Sequence, residues 1–336
     1  MATLRHTFHL AFGLLGLTSL ANAAPTEEQL MQLNSRVLRV QADLANGGVG
    51  LGSGVVVAKD QVATSCHVIA NAGRVNLVSK GNNYNVSMIR ADWKHDVCIL
   101  RATGLDVPAV KITASRLLKY EQPVFTIGYP GLTIRPVNTY GNVKGLYRMD
   151  DGLVIRTSSP IKIGASGGGL FDENGNLAGL ITVKSPGPIA YYYNVSTEWI
   201  QSALKLPEQP VSGQGELPFW AQAPEKWPYF MKIVHPYLTE DWVALQKIAK
   251  QWAEQEPGTA DAWFYLAAAE YATKDTQLAT THLQKVLAMN KQHGEANYYL
   301  NLIAQENSLS AATKVARTSK AGKPVGGKIE LVVARQ

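Results

Sequence analysis

Between Arg36 and Leu204 the chain breaks into short runs rich in Val, Ile, Leu and Thr, punctuated by Gly, Asn, Asp and Pro. The runs are Arg36–Leu44, Gly54–Ala58, Gln61–Thr64, Arg74–Val78, Val97–Arg101, Pro123–Ile127, Leu153–Thr157 and Leu177–Val183, with turn formers such as Glu173-Asn174-Gly175-Asn176 between them. Many short strands at this spacing predict an all-β sandwich or barrel rather than βαβ units. A short helix over Thr197–Lys205 closes the β-rich half.

The texture then changes twice. Pro207, Pro210, Pro218 and Pro224, with Gly213 and Gly215, mark a linker over residues 206–228. Beyond it the apolar positions recur with a helical period. Sliding the chain against itself by 34 residues matches Ala262 with Ala296, Tyr265 with Tyr299 and Leu266 with Leu300. Ala279, Leu283 and Val286 mark the core face of a helix between these segments. A 34-residue helix-turn-helix period resembles the tetratricopeptide repeat. Only one repeat is complete and Pro236 interrupts the first unit, so residues 229–308 either dock on the β half or assemble with another copy.

At the N-terminus, Arg5, the apolar run from Phe8 to Leu20 and Ala21-Asn22-Ala23 predict a cleaved secretory leader over residues 1–23. Export to the periplasm or beyond follows, and no stretch is apolar enough to predict a membrane span. The net charge of the 336-residue chain is +6. Much of it lies in residues 309–336, where Lys314, Arg317, Lys320, Lys323, Lys328 and Arg335 face Glu330. No recognition motif accompanies that charge, so a solvated tail is expected and nucleic acid is not.

Candidate chemistry centres on Ile161-Lys-Ile-Gly-Ala-Ser-Gly-Gly-Gly-Leu-Phe-Asp172. Alone it reads equally as a glycine turn or as a loop presenting Ser166. Acyl transfer by serine needs a base, a group orienting that base, and donors for the oxyanion. His67 lies at a strand end in Thr64-Ser-Cys-His-Val-Ile, and Asp96 opens the strand of His95-Asp-Val-Cys-Ile-Leu-Arg. With Ser166 these supply the parts in the order His, Asp, Ser.

Residues 24–205 resemble the trypsin/chymotrypsin-like serine proteases, and more closely the bacterial high-temperature-requirement group. The resemblance is carried by Gly52-Ser-Gly-Val-Val-Val, Thr64-Ser-Cys-His-Val, Asp96-Val-Cys-Ile-Leu, Ile127-Gly-Tyr-Pro-Gly and Thr157-Ser-Ser-Pro-Ile-Lys-Ile-Gly-Ala-Ser-Gly-Gly-Gly-Leu. It implies two six-stranded β-barrels with the active site between them, followed here by a small all-α domain. By that resemblance Ser166 attacks a peptide carbonyl, His67 moves the proton, Asp96 orients His67, and the N–H groups of Gly164 and Ser166 form the oxyanion hole. The substrate pocket falls at Ile161, Thr182, Val183, Lys184 and Tyr192. Tyr191 and Tyr193 beside it would narrow that pocket. Pro160 stands where trypsin-like specificity needs an acid, so a small or medium apolar side chain is expected before the scissile bond. Ala165 replaces the aspartate that pairs with a new N-terminus in cleavage-activated members, so activity without such cleavage is expected. No cofactor or metal is implied, and no PDZ-like domain is recognisable.

Cys66 and Cys98 flank the candidate base and its orienter. If Asp96 holds His67, the two segments run close, and export favours a disulfide between them over two buried thiols. The leading expectation is an exported serine endopeptidase acting on polypeptides, with a helical module for protein partners or self-association. An inactive protease fold serving as a binding or chaperone-like module, or an esterase using the same triad, are the alternatives.

Overall fold

The computed structural model describes residues 25–186, 190–211 and 215–321, with side chains of the last helix described to Thr313. The expected leader and the end of the basic tail lie outside the described residues. Helix α1 (Glu27–Asn34), closed by a capping box at Thr26, buries Leu33 against the β half. Strands β1 (Val37–Leu44), β2 (Val49–Ala58), β3 (Gln61–Thr64), β4 (Ala72–Ser79), β5 (Asn82–Asn85), β6 (Met88–Asp92) and β7 (Val97–Arg101) form an antiparallel sheet ordered β6-β7-β3-β2-β1-β4-β5. A one-turn helix, α2 (Cys66–Ile69), follows β3. Strands β8 (Pro123–Gly128), β9 (Val137–Met149), β10 (Gly152–Thr157), β11 (Gly169–Asp172), β12 (Leu177–Lys184) and β13 (Tyr192–Ser196) close a second barrel in the order β10-β13-β12-β11-β8-β9. Helix α3 (Thr197–Ala203) ends the β half.

The strand runs are continuous rather than alternating because both strand faces are buried. Leu38, Val40, Val56, Val62, Cys98 and Leu100 fill the core of the first sheet, while Val37, Val55, Ala63, Val97 and Ile99 on the opposite face join a core shared with the second barrel. The first sheet has eight strands where six were expected. The short β5 extends one edge, and β14 (Gln209–Pro210) of the linker pairs with β6 at the other. The linker is thus packed structure, with Phe219 buried and its N–H donated to the Lys94 carbonyl at 3.0 Å.

The helical half comprises the short α4 (Tyr229–Lys232) and α5 (Val234–Leu238), then α6 (Trp242–Gln255), α7 (Ala260–Ala272), α8 (Thr276–Met289) and α9 (Gly294–Ala321). Asp241 caps α6 and Asp275 caps α8 through the same side-chain-to-N3 bond, so the helix boundaries keep the 34-residue offset. Ala279, Leu283 and Val286 are fully buried. Helix α9 runs past residue 308, the boundary drawn from the sequence.

Of the two arrangements left open for this half, the fold takes docking on the barrel. Asp261 of α7 meets the Arg156 guanidinium of β10 at 3.2 Å and accepts from the Tyr147 hydroxyl, and both charges are buried. Arg156 also donates to the Lys144 carbonyl at 2.7 Å and stacks over the Tyr191 ring. Burial alone would push the Asp261 carboxyl up. The Arg156 charge, with His293 and Tyr147, holds it below its ordinary value. That contribution is present above the unfolded carboxylate's pKa of about 3.9 and is lost as pH falls through the lower folded value. Arg156→Leu strands Asp261 without its cation, and urea unfolding should show a loss of about 3–5 kcal/mol. A loss under about 1 kcal/mol would mean that the pair does not hold the docked state.

Candidate active site

The elements place His67 and Ser166 on one cleft between the sheets, with Asp96 buried behind His67. His67 lies on α2, which hangs from the end of β3. Asp96 sits at the mouth of β7, in the left-handed region at φ 61° that aspartate tolerates better than most residues. Ser166 lies in the loop before β11. The cleft has a volume of about 340 Å³ and is lined by His67, Ile161, Gly164, Ser166, Thr182, Val183, Lys184 and Trp220, among others.

Asp96 is fully buried. Its carboxylate accepts from His67 Nδ1 at 2.7 Å, from the His67 backbone N–H at 2.9 Å, from the Thr182 hydroxyl and from Trp220 Nε1 at 3.2 Å. The bond at Nδ1 fixes the ring and leaves Nε2 as the acceptor nitrogen. Burial would lower the His67 pKa, but the charge and hydrogen bond of Asp96 outweigh it, and the value lies above the ordinary 6.5. The Trp220 ring meets the imidazole edge-on at 5.1 Å. The Ser166 hydroxyl donates to the Thr182 carbonyl at 3.1 Å, and among the described residues no hydrogen bond joins it to His67.

The loop around Ser166 is shaped by close backbone packing. Gly164 has φ +94°, and a Cβ there would run into Gly131 N and Tyr129 O. The Ile163 carbonyl accepts from the Gly131 N–H at 2.8 Å. Because the peptide is trans and planar, the Gly164 N–H points the opposite way. Neither that N–H nor the N–H of Ser166 has an acceptor among the described residues. Buried Ser53 ties the assembly together: its hydroxyl donates to Gly164 O at 3.0 Å and accepts from Tyr129 N at 2.8 Å, and its N–H donates to Ser166 O at 2.8 Å. Gly167, at φ +80°, abuts Ser53 O and the Thr64 hydroxyl. Ala165 packs with Ile161, Ile181 and Tyr192.

Cys66 and Cys98 are joined in a disulfide, with 4.9 Å between their Cα atoms. The bond links α2 to β7 and so anchors the segments that bear His67 and Asp96. Of the expected pocket residues, Ile161, Thr182, Val183 and Lys184 line the cleft. Tyr192 packs under the loop, Tyr193 is buried facing α4, and Tyr191 is drawn to Arg156.

Residues 52–180 match the family described as "Trypsin-like peptidase domain". Over those residues the chain has the fold of a trypsin-like peptidase domain. A "Probable periplasmic serine endoprotease DegP-like" of Pseudomonas putida (strain W619) is 33% identical over 135 residues, covering 39% of this chain and 28% of the relative. "Serine protease Rv3671c" of Mycobacterium tuberculosis (strain ATCC 25618 / H37Rv) is 28% identical over 172 residues, covering 47% of this chain and 41% of the relative. The chain thus spans less than half the length of these curated relatives. The crystal structure of the Rv3671c protease in its active form superposes with a TM-score of 0.51 at 21% identity, over 57% of this chain and 92% of that one, which establishes the shared fold.

Trp220 lies outside the matched residues of the peptidase domain, and sequence reasoning passed over it as linker. Phe219-Trp220 and Trp227 are large aromatics in a Pro- and Gly-rich segment, a sign that the linker packs. Thr182, assigned only to the substrate pocket, also spends its hydroxyl on Asp96.

Two outcomes follow from this geometry. Trp220→Phe keeps the ring on His67 but frees Asp96 of one donor, so NMR titration of the His67 imidazole should show a higher pKa; an unchanged value would reduce Trp220 to packing. Replacing both cysteines by serine should cost about 3–4 kcal/mol in the chain-entropy account, read by denaturant unfolding. A loss below about 1 kcal/mol would mean that neighbouring strands already hold the two segments.

Proposed function

We propose that the chain is an exported serine endopeptidase that hydrolyses peptide bonds in polypeptides through Ser166, His67 and Asp96. The observation that supports it best is the buried Asp96 carboxylate orienting His67 on the cleft that also holds Ser166 and two backbone N–H groups without an acceptor among the described residues. In this reading Ser166 Oγ leaves the Thr182 carbonyl by rotation about one side-chain torsion and gives its proton to His67 Nε2 as it attacks the substrate carbonyl. The carbonyl oxygen, now negative, is held by the N–H groups of Gly164 and Ser166, each worth roughly 3 kcal/mol in the transition state. His67 then delivers the proton to the leaving amine, and water repeats the sequence to free the acyl group.

Export agrees with the disulfide and with the predicted leader, and the periplasmic relative points the same way. Ile161 and Val183 on the cleft favour a small or medium apolar residue before the scissile bond. Polypeptides are the expected partners in the cleft. The helical half could bring further protein contacts through surfaces that docking leaves free. The position of the Ser166 hydroxyl on the Thr182 carbonyl favours, as a second reading, a protease fold that binds without cutting.

A fluorophosphonate probe separates the two. Labelling and peptide hydrolysis by the purified chain should both vanish in Ser166→Ala, with hydrolysis down about 10⁴-fold or more. An unlabelled wild-type chain would leave the binding reading. The rate should rise with pH through an apparent pKa above 6.5, because the base must be neutral and the folded His67 value is raised. An acid limb at or below that value would remove His67 from the role of base.

A further inference from the structure

Two cavities meet at Trp220. Beside the cleft of the candidate site lies a larger cavity of about 590 Å³, enclosed by the end of β12, the linker tryptophans and helices α4 and α5. Val183, Lys184 and Trp220 line both spaces, so the two cavities adjoin along the end of β12. Its walls are mostly apolar, with Trp227, Met231, Val234 and Leu238 supplied by residues beyond the peptidase domain. The volume falls within the ~300–1,000 Å³ typical of ligand pockets.

The far wall is braced from behind. Phe230 of α4 stacks on Tyr147 with ring centroids 4.4 Å apart, and its carbonyl accepts from the Tyr193 hydroxyl at 3.2 Å. Trp227 Nε1 donates to the Gln222 carbonyl at 2.8 Å. The first two contacts anchor α4 to the barrel, the third braces the linker on itself, and Met231 and Leu238 are left lining the cavity.

The near wall indicates what that occupant is. Strand β11 pairs with β12 only as far as Leu180, and the Gly167 and Gly168 backbone takes up Ile181. Strand β12 continues to Lys184 with β13 on its other side. Among the described residues Val183 and Lys184 therefore have a strand neighbour on one side only, and an extended peptide can be added on the other. Alternate residues of such a peptide face the same way, about 6–7 Å apart. One can then sit at Ser166 while another farther along reaches the apolar cavity.

We propose that this cavity is a substrate subsite, built jointly by the peptidase domain and the helical half, that takes an aromatic or long aliphatic side chain of an extended polypeptide upstream of the bond cut at Ser166. The proposal rests on the endopeptidase reading for the position of the cut but not for the binding itself. The helical half would then act as a specificity wall.

The test uses pairs of peptides that differ only by Phe or Ala at each of the second, third and fourth positions before the scissile bond. Hydrolysis is measured with the wild-type chain, and affinity with Ser166→Ala through tryptophan fluorescence. At one position the Phe peptide should be favoured by about 10- to 100-fold in both measurements, the range expected for burying one large apolar side chain. Met231→Trp and Leu238→Trp, which fill the cavity, should reduce that preference to within about threefold, with an unchanged circular-dichroism spectrum reporting that each variant is folded. Two fillers guard against one that fails to fold. If Ser166→Ala binds the Phe peptide preferentially and the wild type never cuts it, the endopeptidase reading falls and the subsite stands. Equal binding of Phe and Ala peptides overturns the subsite, as does a preference that survives both fillers. Faster hydrolysis of both peptides by the fillers would mark the cavity as the seat of an inhibitory segment and overturn it as well.

Discussion

A carboxylate removed from water must be given hydrogen bonds, and Asp96 meets this demand with donors from three distant parts of the chain. Two come from His67 on α2, one from Thr182 on β12 and one from Trp220 in the linker. Each donor fixes a different wall of the cleft. The first sheet, the second barrel and the segment leading to the helices therefore converge on one buried charge. The disulfide and the left-handed backbone of Asp96 secure the same point from the side of the first sheet.

The loop that carries Ser166 is held by a different physics. No charge fixes it; its shape comes from backbone groups packed too closely for a Cβ at Gly164, and from the Ser53 hydroxyl that joins it to Tyr129. Ala165 lies against Gly128 and within a small apolar cluster, where an ion-pairing aspartate would have been expected in a cleavage-activated relative of this fold. Packing and neutral hydrogen bonds involve no titrating group, so this bracing does not depend on an ion pair being formed.

The helical half extends the same logic. Its helices pack on the second barrel through Phe230, Tyr147 and the buried Arg156–Asp261 pair. Buried ions cost solvation that their attraction only partly returns. What the pair adds is register: α7 can meet β10 in few other ways without stranding a charge. That register also places α4 and α5 beside the cleft.

The residue types and order of His67, Asp96 and Ser166, the short strands and the 34-residue helix offset were legible along the chain because each is a local pattern. Strands β9 and β13 were not read as strands, since Val137–Met149 mixes glycine with polar residues and Tyr192–Ser196 carries no alternation. The cysteine pairing was open until β3 and β7 were adjacent. Ser53 and Gly131 stood in quoted motifs without a role and Trp220 stood in none, because their roles arise from contacts across 32 to 124 residues of chain. Residue types and their order along the chain fix which side chains are on offer, since a hydroxyl, an imidazole and a carboxylate are local properties. How the cleft is walled depends on the folded chain, because burial and hydrogen-bond direction exist only once distant segments meet.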